Sequence, residues 1–212
     1  MTTPTNPPTS SPATSGDAIR PQSGSETPAR NGATGAATPP LVARRGWEGR
    51  YFEDFAVGDV YDHPLGRTIT ATDNTWFTLL TQNTARLHFD QHYAAQTGFG
   101  RTLVNSTLTL ALVTGQSVID VSQNVMANLG WDEVRLPHPV FEGDTVYSRS
   151  IVLGLRPSKS RPDVGVVEVR THGYNQDGDE VISFRRTLLA YRRGHGPKPP
   201  ALPPLPDSPA AR

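Results

Sequence analysis

The chain has 212 residues with 20 prolines, 19 glycines, no cysteine, and acidic and basic side chains in equal number, 20 of each. Lack of cysteine excludes a disulfide scaffold, a thiolate nucleophile and cysteine-ligated zinc. Residues 46–195 carry 14 basic against 17 acidic side chains, which argues against the basic face that nucleic acid requires. These averages pool two kinds of sequence, because residues 1–45 hold 8 prolines and residues 196–212 hold 7, while all 16 aromatic residues lie between Trp47 and Tyr191. Segments without large apolar side chains cannot offset the entropy of ordering a backbone. The expected organisation is therefore a disordered Ser/Thr/Pro/Ala-rich tail over 1–45, one domain over 46–195 and a disordered Pro-rich tail over 196–212. No run approaches the roughly 18 apolar residues of a membrane span, and the N-terminus lacks the apolar centre of a signal peptide, so a soluble, cytoplasmic protein is expected.

In chain order, Trp47, Tyr51, Phe52 and Phe55 open the domain. Val57-Gly58-Asp59-Val60 reads as a turn, and Tyr61 to Thr70 as a strand interrupted by Pro64. Thr72 or Asp73 can cap a helix reaching about Gln82, with Trp76, Phe77, Leu79 and Leu80 as its buried stripe. A second short helix runs from about Asp90 to Gln96, stopped by Gly98 and Gly100. Asn105 to Ser122 carries apolar residues around most of its circumference and predicts a single helix buried nearly all round. The remainder reads as strands at Ala127–Leu136, Thr145–Leu155, Val164–Tyr174 and Glu180–Tyr191, separated by turn clusters at 142–144, 158–162 and 176–179. An antiparallel meander after one greasy helix gives an α+β plan in which the sheet wraps the helix.

The densest chemistry lies between the two short helices, in Thr81-Gln82-Asn83-Thr84-Ala85-Arg86-Leu87-His88-Phe89-Asp90-Gln91-His92-Tyr93-Ala94. Loops at such junctions often carry functional groups. From the residues alone His88 can equally be a hydrogen-bonded histidine at a helix start. His88 and His92 are four apart, but the metalloprotease pattern needs Glu where Phe89 stands, and no clear third ligand exists, so no metal is expected. There is no Gly-x-Ser-x-Gly elbow and no Walker loop. Gly98-Phe99-Gly100 lacks the third glycine and preceding strand of a dinucleotide site. Ser158-Lys159-Ser160-Arg161-Pro162 reads as a solvated hairpin tip, with contact to an anionic ligand as its functional alternative.

Taken together, these residues resemble the MaoC-like (R-specific) enoyl-CoA hydratases and dehydratases of the hot-dog fold, over about 46–194. The resemblance is carried by Phe55-Ala56-Val57-Gly58-Asp59, the segment around His88, Val104-Asn105-Ser106-Thr107-Leu108-Thr109 and Pro139-Val140-Phe141-Glu142-Gly143-Asp144-Thr145. Asn83-Thr84 with His88-Phe89-Asp90, Leu103-Val104-Asn105-Ser106, Asn128 to Arg135 and Ser158 to Pro162 are similar to the mesaconyl-CoA hydratase (β-methylmalyl-CoA dehydratase) branch in particular.

The resemblance implies a hydro-lyase acting on a short branched enoyl-CoA, with no cofactor beyond the coenzyme A of its substrate, and a homodimer or dimer of dimers. The family motif Gly-Asp-x-Asn-Pro-x-His pairs an aspartate with a histidine five residues on. His88 fills the histidine, whereas the aspartate position is Asn83, the glycine Gln82, the asparagine Ala85 and the proline Arg86. An asparagine amide can orient water but cannot take its proton at neutral pH, which leaves His88 as the titratable group of the motif. The family's thioester-polarising backbone N–H falls on Ser106, a glycine in typical members. Arg86 is expected to read a free carboxylate on the acyl chain, with a surface salt bridge as the alternative. Asn105, Arg101, Lys159 and Arg161 are further candidate substrate-binding residues. Rival readings are a hot-dog acyl-CoA thioesterase and a non-catalytic acyl-CoA-binding protein, the latter encouraged by the missing aspartate.

Overall fold

The computed structural model describes residues 41, 42, 44 and 46–205. The tails expected to be disordered lie mostly outside the described residues. The elements in order are β1 (Val60–Asp62), β2 (Arg67–Thr68), α1 (Ala71–Leu80), α2 (Gln91–Ala94), α3 (Ser106–Gln116), β3 (Val125–Arg135), β4 (Thr145–Pro157), β5 (Val164–Tyr174) and β6 (Glu180–Tyr191), with 3₁₀ turns at Phe52–Asp54 and Arg86–His88 and a π turn at Val118–Ser122. The strands form one antiparallel sheet in the order β1-β4-β5-β6-β3, and β2 pairs with the start of β4. It curls around α3 in the hot-dog arrangement, as expected.

Alternation over the second part of each strand explains why β5 and β6 fall where the pattern predicted them. Val167, Val169, Thr171 and Gly173 of β5 are buried on the helix side, while Glu168, Arg170, His172 and Tyr174 are half-buried on the other. Successive side chains of a strand point to opposite faces, so the outer set is free to pair across strands, as Glu168 does with Arg185 and Arg170 with Glu133. Gly173 serves the close approach of α3, because a β-carbon there would lie 2.8 Å from Val113 Cγ2 and 2.8 Å from Ile182 Cγ2. All three residues are in the dense interior, and overpacking such a site costs ~1–3 kcal/mol. Gly173→Val should therefore lower the unfolding free energy by about 2–3 kcal/mol in urea titrations, and an unchanged midpoint would contradict this packing.

Three sequence expectations are corrected. Helix α1 starts at Ala71 and is capped by Thr70, which exchanges hydrogen bonds with Asp73 in a capping box. Its Trp76 and Leu80 are 75% and 82% exposed, and Leu79 is also exposed; the side chains it buries are Asn74 and Thr78. The apolar stripe thus faces outward and the polar one inward. Strand 61–70 is two short strands separated at His63-Pro64, because proline cannot donate to a ladder. Finally, 105–122 is not one helix buried all round: α3 ends at Gln116 and yields to the π turn, and Ser106, Thr107, Ala111, Gly115, Val118 and Ile119 are exposed.

The π turn is held from a distance. Arg50 Nη1 donates to Asp120 O and Oδ1 at 3.1 and 2.9 Å, and His63 joins Asp120 Oδ2 to Ser150 Oγ, both at 2.9 Å. Burial pushes the His63 pKa below its ordinary 6.5 despite the pull of Asp120. Burial alone would raise Asp120, but hydrogen bonds from His63 and Arg50 prevail and its pKa lies below 3.8. An imidazole kept neutral by the fold is protonated first in the unfolded chain, so its contribution to stability shrinks as pH falls below about 6.5. The contribution of Asp120 is present above its unfolded pKa and is lost as pH falls through its lower folded value. The melting temperature should accordingly drop between pH 7 and 5, and the drop should be smaller in His63→Gln. An equal drop in both proteins would contradict this origin.

Candidate active site

Helix α1 ends at Leu80, and the chain reverses through Gln82 at φ +57°, a left-handed conformation that glycine adopts without strain. The glycine-to-glutamine difference from the family motif therefore falls where the backbone still turns as glycine would. Asn83 follows, its N–H bonded to Thr78 O at 3.0 Å and its Oδ1 accepting from Ala85 N at 2.9 Å. This Asx turn uses the amide oxygen and leaves the Nδ2 hydrogens to donate outward.

Residues Arg86–His88 form a 3₁₀ turn that delivers the half-buried His88 ring toward the 101–105 segment. His88 Nδ1 lies 2.9 Å from Leu103 O. A carbonyl can only accept, so Nδ1 carries the hydrogen and Nε2 of the neutral ring keeps its lone pair. Asp90 then caps α2 by accepting from Tyr93 N at 3.0 Å.

Asn74 ties these parts together. It is fully buried, and its Nδ2 lies within hydrogen-bond distance of His88 O (2.8 Å), Leu103 O (3.1 Å) and Glu142 Oε1 (3.1 Å), while its Oδ1 accepts from Asn105 N at 2.9 Å. One side chain thus joins the histidine turn, the 103–105 segment and the turn before β4. Asn105 caps α3, accepting from Thr107 N and Oγ1 and donating to Thr78 Oγ1. Its Oδ1 is spent on that cap and its Nδ2 ties the cap to α1, so its effect on the site is to aim the start of α3. Ser106, the first helical residue, is exposed. The first N–H groups of a helix have no intrahelical acceptor and carry the positive end of its dipole.

Two pockets share the paired segments 101–104 and 139–142, which are joined by Val104 N donating to Val140 O and by the Leu103–Phe141 bridge. The first, of about 300 Å³, has Ser106 and His138 among walls that are otherwise mostly apolar, including Phe99, Leu103 and Val140. The second, of about 290 Å³, is lined by Gln91, Arg101, Thr102 and Glu142. Arg101 stacks its guanidinium 3.7 Å from the Phe141 ring centre, which holds the cation at the wall of this second pocket.

The structure joins the His88 turn to Asn105 and Ser106 at the entry to α3 through Asn74 and Leu103, and ties Asn83 to the same place through Thr78; Arg86 lies on the His88 turn and Arg101 on the segment leading to Leu103. Arg86 is exposed and forms no ion pair among the described residues. Lys159 and Arg161 do not join this group. They sit on the β4–β5 hairpin, whereas both pockets adjoin the other end of β4, a strand of 13 residues and so roughly 40 Å away at about 3.3 Å per residue. Arg161 is moreover paired with Asp163 through two hydrogen bonds of 3.2 and 2.9 Å. His88 and His92 belong to no metal-binding cluster among the described residues. The sequence reading passed over Asn74, Glu142 and His138. Asn74 and Thr78, four apart on an otherwise greasy helix, were the visible sign that the inward face is polar.

Residues 42–197 match the family model for mesaconyl-CoA hydratase. The chain is 36% identical to a mesaconyl-CoA hydratase of Cereibacter sphaeroides over 165 residues, covering 77% of this chain and 48% of that protein. It is 36% identical to a β-methylmalyl-CoA dehydratase of Chloroflexus aurantiacus over 162 residues, covering 76% of this chain and 46% of the other. A solved MaoC-domain dehydratase from Chloroflexus aurantiacus superposes with a TM-score of 0.68 at 34% identity, over 78% of this chain and 48% of that one. The chain spans about half the length of these relatives. With a family model matching residues 42–197 and relatives 36% identical, the chain belongs to the MaoC-like mesaconyl-CoA hydratase family.

Proposed function

We propose that the protein hydrates and dehydrates a short branched enoyl-CoA thioester reversibly, with mesaconyl-CoA and β-methylmalyl-CoA as the pair that its relatives' names suggest. The observation that carries this reading is an imidazole whose Nδ1 is held by Leu103 O, which leaves Nε2 for the substrate side, beside the N-terminus of an 11-residue helix. In the hydration direction His88 Nε2 takes one proton from a water whose oxygen attacks the β-carbon. Asn83 orients that water by donating from Nδ2, since its Oδ1 is engaged. The electron pair released into the thioester is held as an enolate at the Ser106 N–H, where preorganised donors contribute most. The proton held on His88 Nε2 then passes to the α-carbon, which collapses the enolate, completes the addition and returns the imidazole to its starting form. Dehydration runs these steps in reverse.

Arg86, free of ion pairs among the described residues, is assigned to the substrate carboxylate, and Arg101 to an anionic part of the coenzyme. We assign a second hot-dog unit, in the form of a second copy of this chain, to the free edge β3, where Leu129 is 54% exposed, and to the exposed side of α3. The doubled length of the relatives supports this arrangement, and long apolar strand edges require cover.

A panel of mesaconyl-C1-CoA, crotonyl-CoA and a longer enoyl-CoA tests the reading. Loss of enoyl absorbance without release of free thiol is expected, greatest for mesaconyl-C1-CoA, and Arg86→Met should reduce that preference. Thiol release would indicate a thioesterase, no reaction would indicate a binding protein, and equal losses on mesaconyl- and crotonyl-CoA in Arg86→Met would remove Arg86 from carboxylate recognition.

A further inference from the structure

We infer that His138 is a specificity-determining residue that accepts a hydrogen bond from the acyl hydroxyl of a hydrated CoA thioester. The inference rests on the hydratase reading for the identity of the ligand, and on local geometry for the rest. His138 lies between Pro137 and Pro139. The ring of each proline fixes its own φ, and a residue that precedes proline is restricted to extended backbone, so His138 is held on a stiff segment. Its Nδ1 is 2.8 Å from the backbone oxygen of Glu180 at the start of β6. That oxygen can only accept, so Nδ1 is the donor, and Nε2 of the neutral ring carries a lone pair. The same device sets His88, with Leu103 O in place of Glu180 O.

His138 lines the pocket of about 300 Å³ that also contains Ser106. It is the only acid or base among the residues lining that pocket. On the strands behind it, Glu180 and His172 pair with each other at 2.9 Å. The polar side chains that share the pocket with it are Ser106 and Thr109. A bare acceptor on a mostly apolar wall selects a ligand that offers a donor, since an unpaired polar group loses its hydration without return. The hydrated acyl chain offers one. Of the two hydrogens of the attacking water, one passes to His88 and the other stays on the new hydroxyl. That hydroxyl lies two carbons from the thioester carbonyl, close enough for one small pocket to hold both groups.

The test uses the full chain carrying His88→Ala, which removes the competing imidazole and stops turnover. Calorimetry compares (R)-3-hydroxybutyryl-CoA with butyryl-CoA, its counterpart without the hydroxyl. The hydroxyacyl ester should bind about 5- to 10-fold more tightly, the yield of one net hydrogen bond. Adding His138→Asn places an amide where Nδ1 was, preserving the Glu180 contact, and deletes Nε2; the ratio should fall to about 1 with the melting temperature unchanged. His138→Gln, whose amide reaches the Nε2 position, should recover part of the ratio. A ratio that survives His138→Asn, equal binding of the two esters by the parent, or no binding of either would overturn the inference. Wild-type turnover is measured in parallel: activity on enoyl-CoA esters with an unaffected ratio sinks only the role of His138, whereas a ratio that responds in a protein without hydratase activity sinks the reaction assignment.

Discussion

His88→Ala should lower kcat for enoyl-CoA hydration by about 10³-fold while leaving the fold intact. The magnitude follows from the ~10²–10⁴-fold that a positioned general base contributes, and the upper part of that range applies because Asn83, at the family's aspartate position, cannot exchange a proton in its place. The fold should tolerate the change, since the His88 side chain makes a single hydrogen bond, to Leu103 O, and the ring is only half-buried. His88→Asn separates the two functions of the ring. It can keep a donor for Leu103 O but has no base, so the melting temperature should stay near that of the wild type while turnover falls as far as in His88→Ala. Steady-state hydration kinetics and thermal melts on the three proteins check this. Activity retained in either variant would move the base elsewhere, and Glu142, a carboxylate accepting from Asn74, would be the next residue to examine.

Asn74→Ala should damage stability and activity together. Removing the side chain takes the partner from the Asn105 N–H and from the carbonyls of His88 and Leu103. Unsatisfied buried groups cost ~1–3 kcal/mol each, and partial relaxation brings the expected total to about 3 kcal/mol. Because the same amide joins the histidine turn to the α3 cap, kcat should drop by about 10²-fold, the usual penalty for a displacement of order 1 Å in a reacting pair. KM should change far less, since Asn74 lines neither pocket. Asn74→Asp is the sharper control. It retains an acceptor for Asn105 N but turns a carboxylate toward two carbonyl oxygens and Glu142, so it should be at least as harmful as alanine despite its shape. A well-folded, active Asn74→Asp protein would contradict the proposed network.

Much of the sheet was legible in the sequence because its signal is local. Val164–Tyr174 and Glu180–Tyr191 alternate in burial over most of their length, are bounded by turn residues, and lie where the pattern places them. The elements that were misread depend on distant partners. Trp76, Leu79 and Leu80 have the spacing of a core stripe, yet the core takes Asn74 and Thr78 because His88 O, Leu103 O and Asn105 N converge on Asn74 and the Asn105 amide on Thr78. Nothing between 105 and 122 announces a π turn at 118, since its supports are Arg50 and His63, 57 or more residues earlier in the chain.

The site divides in the same way. His88, Asn83 and Ser106 follow from motif spacing. Asn74 and His138 acquire their roles through contacts with Asn105 and Glu180, 31 and 42 residues away. Lys159 and Arg161 show the limit of composition alone, since β4 carries their hairpin to the other end of the sheet from the His88 turn.

The proposed reaction adds water across a CoA-bound double bond with His88 as the base. The most direct measurement is incubation of mesaconyl-C1-CoA with the purified full chain in ¹⁸O-water, with mass analysis of the intact thioester. One ¹⁸O in a hydroxyl on the β-carbon, with the CoA ester preserved and the label absent from the His88→Ala reaction, is the predicted result. Label appearing in a free carboxylate with release of CoA, or appearing equally in the His88→Ala reaction, would contradict it.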